Sequence, residues 1–215
     1  IRYQAGWPPK PLNSLLQAHQ PQTSIDWRAA VAKSTKPLVA HETGQFCAYP
    51  DVLGEPPRFT GFLKPSYLAI ARDQLEERGM LEQIPDFVRA SGRWQIELYK
   101  EEIEAHLRTP GLAGFNLLQL NDFSGQSTAP VGLFDATWTK KSYADAGRFR
   151  EFCGPTVALA RLPKRVWLTS DTFAAALEIT HYGAAPLAGQ TVAAVVIDAA
   201  GREVWRTLLP ARDYP

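Results

Sequence analysis

Cysteine is scarce in this sequence, and its two residues, Cys47 and Cys153, do not form a CxxC pair. The pattern excludes the usual zinc-binding and redox motifs, and it leaves two alternatives open, a pair of free thiols or one disulfide. The four histidines are scattered, and no HExxH motif occurs. We therefore expect neither a metal site nor a cofactor.

Long apolar runs and an excess of one charge are missing as well. No stretch of about 18 apolar residues occurs, so we expect no membrane-spanning helix. The 23 basic and 22 acidic residues leave a formal charge of +1, which gives no strong field for nucleic acid or an anionic membrane. The chain also lacks a GxSxG motif, a P-loop and a GxGxxG motif, which removes the common serine-hydrolase and nucleotide-binding patterns.

Aromatic residues, by contrast, make up 11% of the chain, and that fraction bears on the class of ligand. Flat rings pack against the C–H faces of sugar rings, so a sugar-binding cleft is one interpretation. Core filling is the other, because aromatic side chains dominate many protein cores.

Helices and strands alternate over most of the sequence, which predicts a parallel sheet or barrel. The predicted order is an irregular segment at 1–22, helix 25–33 with Ser24 as its N-cap, strand 38–42, helices 66–79, 80–90 and 93–107, and strand 115–120. In the last helix, the apolar spacing predicts a single buried face. We therefore expect its glutamates and His106 to face solvent.

Short strands separated by glycine- and proline-bearing turns follow after about residue 162. Their spacing predicts part of a β-sandwich, with strands at 165–169, 173–182, 190–198 and 202–206. We place the boundary between the two parts within 155–165, which gives a first domain at 1–160 and a second at 161–215. His181 lies on a predicted sandwich strand, so we expect it to be structural.

Polar residues follow two of the predicted parallel strands. His41 and Glu42 end the first, and Gln119, Asn121 and Asp122 lie at the end of the second. In parallel α/β folds, the active site forms at the carboxyl ends of the strands. Two interpretations of Glu42 stay open, a functional carboxylate or a loop carboxylate that binds backbone amides.

Two segments carry a resemblance to a known family. Residues 37–45, PLVAHETGQ, resemble the seventh-strand region of glycoside hydrolase family two, the β-galactosidase and β-glucuronidase group. Residues 114–126, GFNLLQLNDFSGQ, look like the eighth strand of a bacterial branch of that group, and the likeness continues through 131–165.

The resemblance implies both a fold and a chemistry. The α/β fold would be the closing part of a (β/α)₈ TIM barrel, followed by the start of an Ig-like β-sandwich. The activity would be that of a retaining glycosidase that cleaves a terminal β-linked sugar, with Glu42 as nucleophile, in a secreted or periplasmic protein. The residues implied for binding the carbohydrate substrate are His41, Gln119, Asn121, Asp122 and, as a stacking ring, Trp138.

The sequence departs from the family at two points. The family has tyrosine after the nucleophile, where this chain has Thr43, and its acid/base glutamate follows an asparagine, a pair that does not occur here. Asp122 is one stand-in for the acid/base. The other is a carboxyl from the remainder of a longer parent polypeptide, and this chain alone would then be inactive.

Two alternatives to an enzyme stay open. A non-catalytic carbohydrate-binding module or pseudoenzyme would bind glycans without turning them over. A structural domain of mixed α and β type would bind no sugar at all.

Overall fold

In the computed structural model, the described residues are 20–62, 64–126 and 129–215, together with the backbone of residues 2 and 3. Most of the irregular segment predicted at 1–22 therefore lies outside them, and the prediction is wrong for residues 2 and 3, which form a strand.

A three-stranded parallel sheet lies in the first part of the chain. Its strands, in spatial order, are β1 (Arg2–Tyr3), β2 (Leu38–Thr43) and β3 (Leu112–Leu117). β2 pairs in parallel with both neighbours, which confirms the parallel pairing that the alternating order predicts. The carboxyl ends of β2 and β3 consequently lie at the same edge of the sheet.

The helices of this part are unequal in length. They are α1 (Arg28–Val31), α2 (Ser66–Glu77), α3 (Ile84–Leu107) and α4 (Ala146–Arg150), with 3₁₀ turns at Pro56–Arg58 and Leu81–Gln83. The apolar face predicted for the last helix is confirmed, because Ile96, Tyr99 and Ile103 of α3 are buried in the largest core. Phe115 and Leu117 of β3 pack against that core, so α3 covers the sheet.

α3 is one continuous helix, whereas the sequence predicts two pieces that part near Gly92. A helical glycine costs about 1 kcal/mol relative to alanine. However, the ring of Tyr143 occupies the space that a Cβ at Gly92 would need, with its Cδ1 atom 2.1 Å away. Tertiary packing of that ring therefore overrides the local glycine signal.

The helix predicted at 25–33 is shorter than expected, and Ser24 does not cap it. The Oγ atom of Ser24 donates instead to the carbonyl of Leu162 at 3.0 Å. The helix begins at Arg28, whose N–H donates to Oδ1 of Asp26 at 3.2 Å. The long-range bond of Ser24 thus takes it away from the capping position, and a local bond to Asp26 stands at the start of the helix.

The strand predicted at 115–120 begins and ends earlier, as β3. The N–H of Leu112 donates to the carbonyl of Thr109 at 3.2 Å, which closes the turn before the strand. Beyond Leu117 the chain leaves the sheet, because the carbonyl of Leu120 accepts bonds from Leu133 and Phe134 at 2.9 and 3.1 Å.

Antiparallel strand pairs make up the second part of the chain. The pairs are β4 (Thr156–Arg161) with β5 (Ala176–His181), β6 (Leu187–Gln190) with β9 (Arg212–Tyr214), and β7 (Ala193–Ile197) with β8 (Glu203–Leu208). The β4–β5 ladder continues across residues 160 and 161, where the domain boundary is predicted. The Ig-like sandwich and the barrel stay predictions.

The prediction of a strand at 165–169 is wrong. The N–H of Arg165 donates to the carbonyl of Pro21 at 2.8 Å, and the N–H of Leu168 donates to Oδ2 of Asp171 at 2.7 Å. These backbone groups bond outside any ladder, so the segment is an irregular connection.

Candidate functional site

The backbone turns sharply at the carboxyl end of β2. The φ angle of Glu42 is 60°, and that of Gly44 is 86°. A left-handed backbone costs a non-glycine residue roughly 1–2 kcal/mol and persists only where its surroundings impose it. Glycine is required at the second of these positions, because a Cβ at Gly44 would lie 1.8 Å from Cε1 of Tyr99. We call residues 42–44 the Glu42 turn.

One side of the Glu42 turn is held by β3 and the residue after it. The N–H of Glu42 donates to the side-chain oxygen of Asn116 at 3.3 Å. The carbonyl of Thr43 accepts a bond from the N–H of Leu118 at 2.8 Å. The turn is therefore tied to the neighbouring parallel strand.

The other side of the Glu42 turn is held by α3. The Oγ1 atom of Thr43 lies 3.2 Å from Nε2 of His106, and the N–H of Gly44 donates to Oε2 of Glu102 at 2.8 Å. Thr43 and both helix side chains are buried. Because these bonds are buried, no water molecule can replace either partner, and breaking them would leave polar groups unsatisfied.

The carboxylate of Glu42 reaches the surface. Its side chain is 26% exposed, and its Oε2 atom accepts a bond from Nε2 of Gln45 at 3.0 Å. Nδ1 of His41 lies 3.6 Å from Oε1 of Glu42, beyond hydrogen-bond distance. Gln45 belongs to the segment 37–45 that carries the family resemblance, but a glutamine at this position does not by itself predict a contact with the carboxylate.

The prediction that the glutamates of α3 and His106 face solvent holds for Glu97, which is 40% exposed, and is wrong for the others. Glu101, Glu102, Glu104 and His106 are all buried. Two of the charges are compensated by the buried guanidinium of Arg108, at 2.8 Å from Glu101 and 3.3 Å from Glu104. The end of α3 is enclosed on every side, which a count of apolar residues along one face cannot show.

Burial changes the protonation of the two α3 residues that hold the Glu42 turn. It raises the pKa of Glu102 to about 8, against the opposing effect of the N–H of Gly44. Burial and the charge of Arg108 lower the pKa of His106 to about 4. Both side chains are therefore mainly neutral at pH 7.

The loops that follow β2 and β3 run side by side. The N–H of Ala48 donates to the carbonyl of Pro130 at 3.0 Å. Nε2 of Gln95 donates to that carbonyl at 3.2 Å and to the carbonyl of Phe46 at 2.5 Å. The structure thus brings together the two segments on which the sequence predicts the site.

Asp122 lies inside the second of these loops. The carboxylate is buried, and its Oδ1 atom accepts bonds from Nζ of Lys141 at 2.7 Å and from the N–H of Gly132 at 2.8 Å. Burial raises the pKa of Asp122, and Lys141 partly offsets this. These partners indicate that Asp122 organises the loop, while its predicted contact with substrate stays a prediction.

The other residues predicted for substrate binding differ in exposure. Nε2 of Gln119 is buried and has no hydrogen-bond partner among the described residues. Nδ2 of Asn121 donates to the carbonyl of Asp122 at 3.1 Å. Trp138 is 62% exposed, with a φ angle of 63°. An exposed ring on a constrained backbone is available for stacking.

Asp135 fixes the loop that carries Trp138. Its Oδ1 atom accepts bonds from the N–H groups of Thr137 and Thr139 at 2.8 and 3.0 Å, and its Oδ2 atom pairs with Arg58. Burial opposes ionisation, but these hydrogen bonds lower the pKa of Asp135. Arg58 belongs to the loop after β2, so this pair, which the sequence does not single out, joins the two loops.

Glu55 is a second buried carboxyl that the sequence does not single out. Its Oε1 atom accepts a bond from the N–H of Asp51 at 3.2 Å, and its Oε2 atom has no partner among the described residues. Burial raises its pKa to about 7, and the charges of Asp122 and Asp135 act in the same direction. Asp122 and Asp135 therefore lie close enough to influence its ionisation.

No family model matches the chain, and no curated protein matches it. In the part of the chain that the structure describes, no cluster of three histidine, cysteine or acidic side chains is arranged to hold a metal ion. The helices in that part are too short or too polar to cross a membrane. The resemblance to family-two glycosidases therefore stays a hypothesis.

Proposed function

We propose that this chain supplies the nucleophile of a retaining glycoside hydrolase that cleaves a terminal β-linked sugar. The observation that supports it best is the placement of Glu42. A partly exposed carboxylate ends a parallel strand, and its backbone is held in a left-handed conformation from both sides. Such strain is typical of functional residues.

In the proposed mechanism, Glu42 attacks the anomeric carbon, and the bond from that carbon to the leaving oxygen breaks. A second carboxyl protonates the leaving oxygen and later removes a proton from the water that hydrolyses the ester to Glu42. Because no Asn-Glu pair occurs in this chain, we propose that the remainder of a longer parent polypeptide supplies that carboxyl.

The nearby polar residues have proposed roles in binding the sugar. Trp138 offers an exposed face to a pyranose ring. The buried Nε2 atom of Gln119 has no hydrogen-bond partner among the described residues, and we propose that it donates to a sugar hydroxyl once its side chain turns toward the substrate. Asn121 and Asp122 shape the loop between Gln119 and Trp138. His41 lies next to the nucleophile and completes the proposed subsite.

A second candidate function is carbohydrate binding without turnover. The hydrogen bond from Gln45 to Oε2 of Glu42 favours it, since a donor to the carboxylate reduces the nucleophilicity of the carboxylate. The absence of an Asn-Glu pair from the sequence points the same way.

Covalent trapping separates the two functions. The natural full-length polypeptide is incubated with 2-fluoro β-glycosides that carry an activated leaving group, and the labelled peptide is found by mass spectrometry. We expect a glycosyl ester on Glu42, no label in Glu42→Gln, and unchanged labelling in Glu76→Gln, a control on the surface of α2. Glycan binding with no label and no turnover would favour the binding module, whereas turnover by Glu42→Gln at the wild-type rate would exclude Glu42 as the nucleophile.

A further inference from the structure

Three side chains on one face of α3 contact the Glu42 turn. Tyr99, Glu102 and His106 are spaced by three and four residues, which places them along one face of a helix. All three are buried. The ring of Tyr99 fits against Gly44, Glu102 bonds the N–H of Gly44, and His106 bonds Thr43.

Two of these side chains are costly to bury. A carboxyl and an imidazole lose water on burial and recover part of the cost through each hydrogen bond they form. Nδ1 of His106 is buried and has no partner among the described residues. Apolar side chains of the same volume would pack at the same places with a smaller loss. Stability of the fold alone therefore does not account for Glu102 and His106.

We infer that Glu102 and His106 are positioning residues that aim the carboxylate of Glu42 through Gly44 and Thr43, an inference that rests on the proposed function. The Glu102 bond holds the peptide unit between Thr43 and Gly44, and the His106 bond holds the side chain of Thr43. Together they restrain the backbone that follows Glu42, and this backbone sets the direction of its Cα–Cβ bond. An error of about 1 Å in a reacting group is enough to slow a reaction about a hundredfold. A support for the nucleophile built on a rigid helix provides that accuracy.

The surroundings of Glu102 make its contact with Gly44 measurable. The ionisable groups on the same face of α3 are Tyr99, whose pKa burial and Glu102 raise further above its ordinary value, and His106, whose pKa burial lowers to about 4. From β2 its partner is the uncharged N–H of Gly44. The raised pKa of Glu102, about 8, means that the charge on this hydrogen bond changes between neutral and alkaline pH.

The contact can be tested without any enzymatic activity. Labelling threonine with ¹³C at its carbonyl and glycine with ¹⁵N gives two Thr-Gly signals in this chain, from Gly44 and Gly61. We expect the amide proton of Gly44 to move downfield with a midpoint near pH 8, and the exposed Gly61 to stay constant. In Glu102→Gln, the Gly44 signal should no longer depend on pH. A Gly44 signal that changes neither with pH nor with this substitution overturns the contact and the inference with it.

The effect on Glu42 is tested by turnover of an aryl β-glycoside in the natural full-length polypeptide. Glu102→Leu and His106→Leu should lower kcat at least tenfold and change KM less than twofold, because the sugar-binding residues are untouched. Glu102→Gln and His106→Gln keep a polar atom at the same place and should retain most of kcat. Melting temperatures identify any variant that fails to fold, and Glu76→Leu serves as the surface control.

The outcomes separate this inference from the proposed function. Folded leucine variants with wild-type kcat overturn the positioning role while the glycosidase stands. A wild-type protein that turns over no glycoside and takes no covalent label overturns the glycosidase, and the positioning role for its nucleophile with it. In that case, a Gly44 signal that titrates still establishes the Glu102 contact as structural.

Discussion

Gly44 lies so close to Tyr99 that a Cβ on the glycine would stand 1.8 Å from Cε1 of the ring. We expect Gly44→Ala to lower the free energy of unfolding by about 3 kcal/mol or more, because steric overlap adds to the cost of a left-handed backbone. Urea unfolding followed by circular dichroism measures the change.

Gly79→Ala is the matched control for that substitution. Gly79 also has a positive φ, 65°, but no atom lies within 4 Å of its Cβ position. This variant should lose only the conformational part, about 1 kcal/mol. Equal losses in the two variants would contradict the close packing of Gly44 on α3.

Glu102→Gln should change how stability depends on pH. In the folded state the pKa is raised from 4.5 to about 8. Between these values the folded protein holds a proton that the unfolded chain has released, so this carboxyl makes stability fall as pH rises. The variant lacks this loss. We therefore expect its stability relative to wild type to increase from about pH 4.5 to about pH 8, by at most roughly 1.4 kcal/mol per pH unit, and to level off above.

Urea unfolding of both proteins at several pH values within that window gives the difference directly. Other titrating groups, such as Glu55, act in both proteins and cancel in the comparison. A difference that does not vary with pH would show that Glu102 is not buried as a neutral acid.

Arg108 is the buried cation at the end of α3, and its removal leaves Glu101 and Glu104 without their shared partner. We expect Arg108→Met to lower the free energy of unfolding by up to about 3–5 kcal/mol, because Glu101 and Glu104 then keep only their pairs with more exposed cations. Arg89→Met, which breaks an exposed pair with Asp86, should cost less than about 1 kcal/mol. Similar unfolding midpoints in urea for the two variants would contradict the buried network.

Trp138→Ala should weaken binding of the proposed sugar about tenfold, which corresponds to the loss of one aromatic contact. The expected sign is a higher KM for an aryl glycoside, or a higher Kd for a glycan if no turnover occurs. Trp205→Ala removes a ring of similar exposure from β8 and should leave both constants unchanged. An unaltered constant in Trp138→Ala would remove this ring from the proposed subsite.

The sequence predicts two of the three sheet strands because their signals are local, although β3 lies three residues before its predicted position. The apolar run before Glu42 marks a buried strand, and β2 ends one residue after the predicted end. The apolar face of α3 is visible in the spacing of Ile96, Tyr99 and Ile103. Parallel pairing of β2 with β3 follows from the helices between them.

The support of the Glu42 turn is hidden from the sequence because it is made by contacts between distant residues. Glutamates on an amphipathic helix ordinarily face solvent. Glu102 accepts the bond from Gly44 because the end of α3 is enclosed by the rest of the fold. Likewise, nothing near Asn116 in the sequence indicates its bond to Glu42, which spans 74 positions. Such pairs become predictable only once the register of the sheet is known.

Arg161 has a practical consequence for anyone who wishes to shorten this protein. Its guanidinium donates hydrogen bonds to Asp26, Glu178 and the carbonyl of Arg108, so one side chain links three segments that are distant in the sequence. A truncation after residue 160 would remove Arg161 together with β5, the hydrogen-bonded neighbour of β4. A truncated protein that contains only the first part should therefore extend at least through His181, even though the sequence predicts the domain boundary within 155–165.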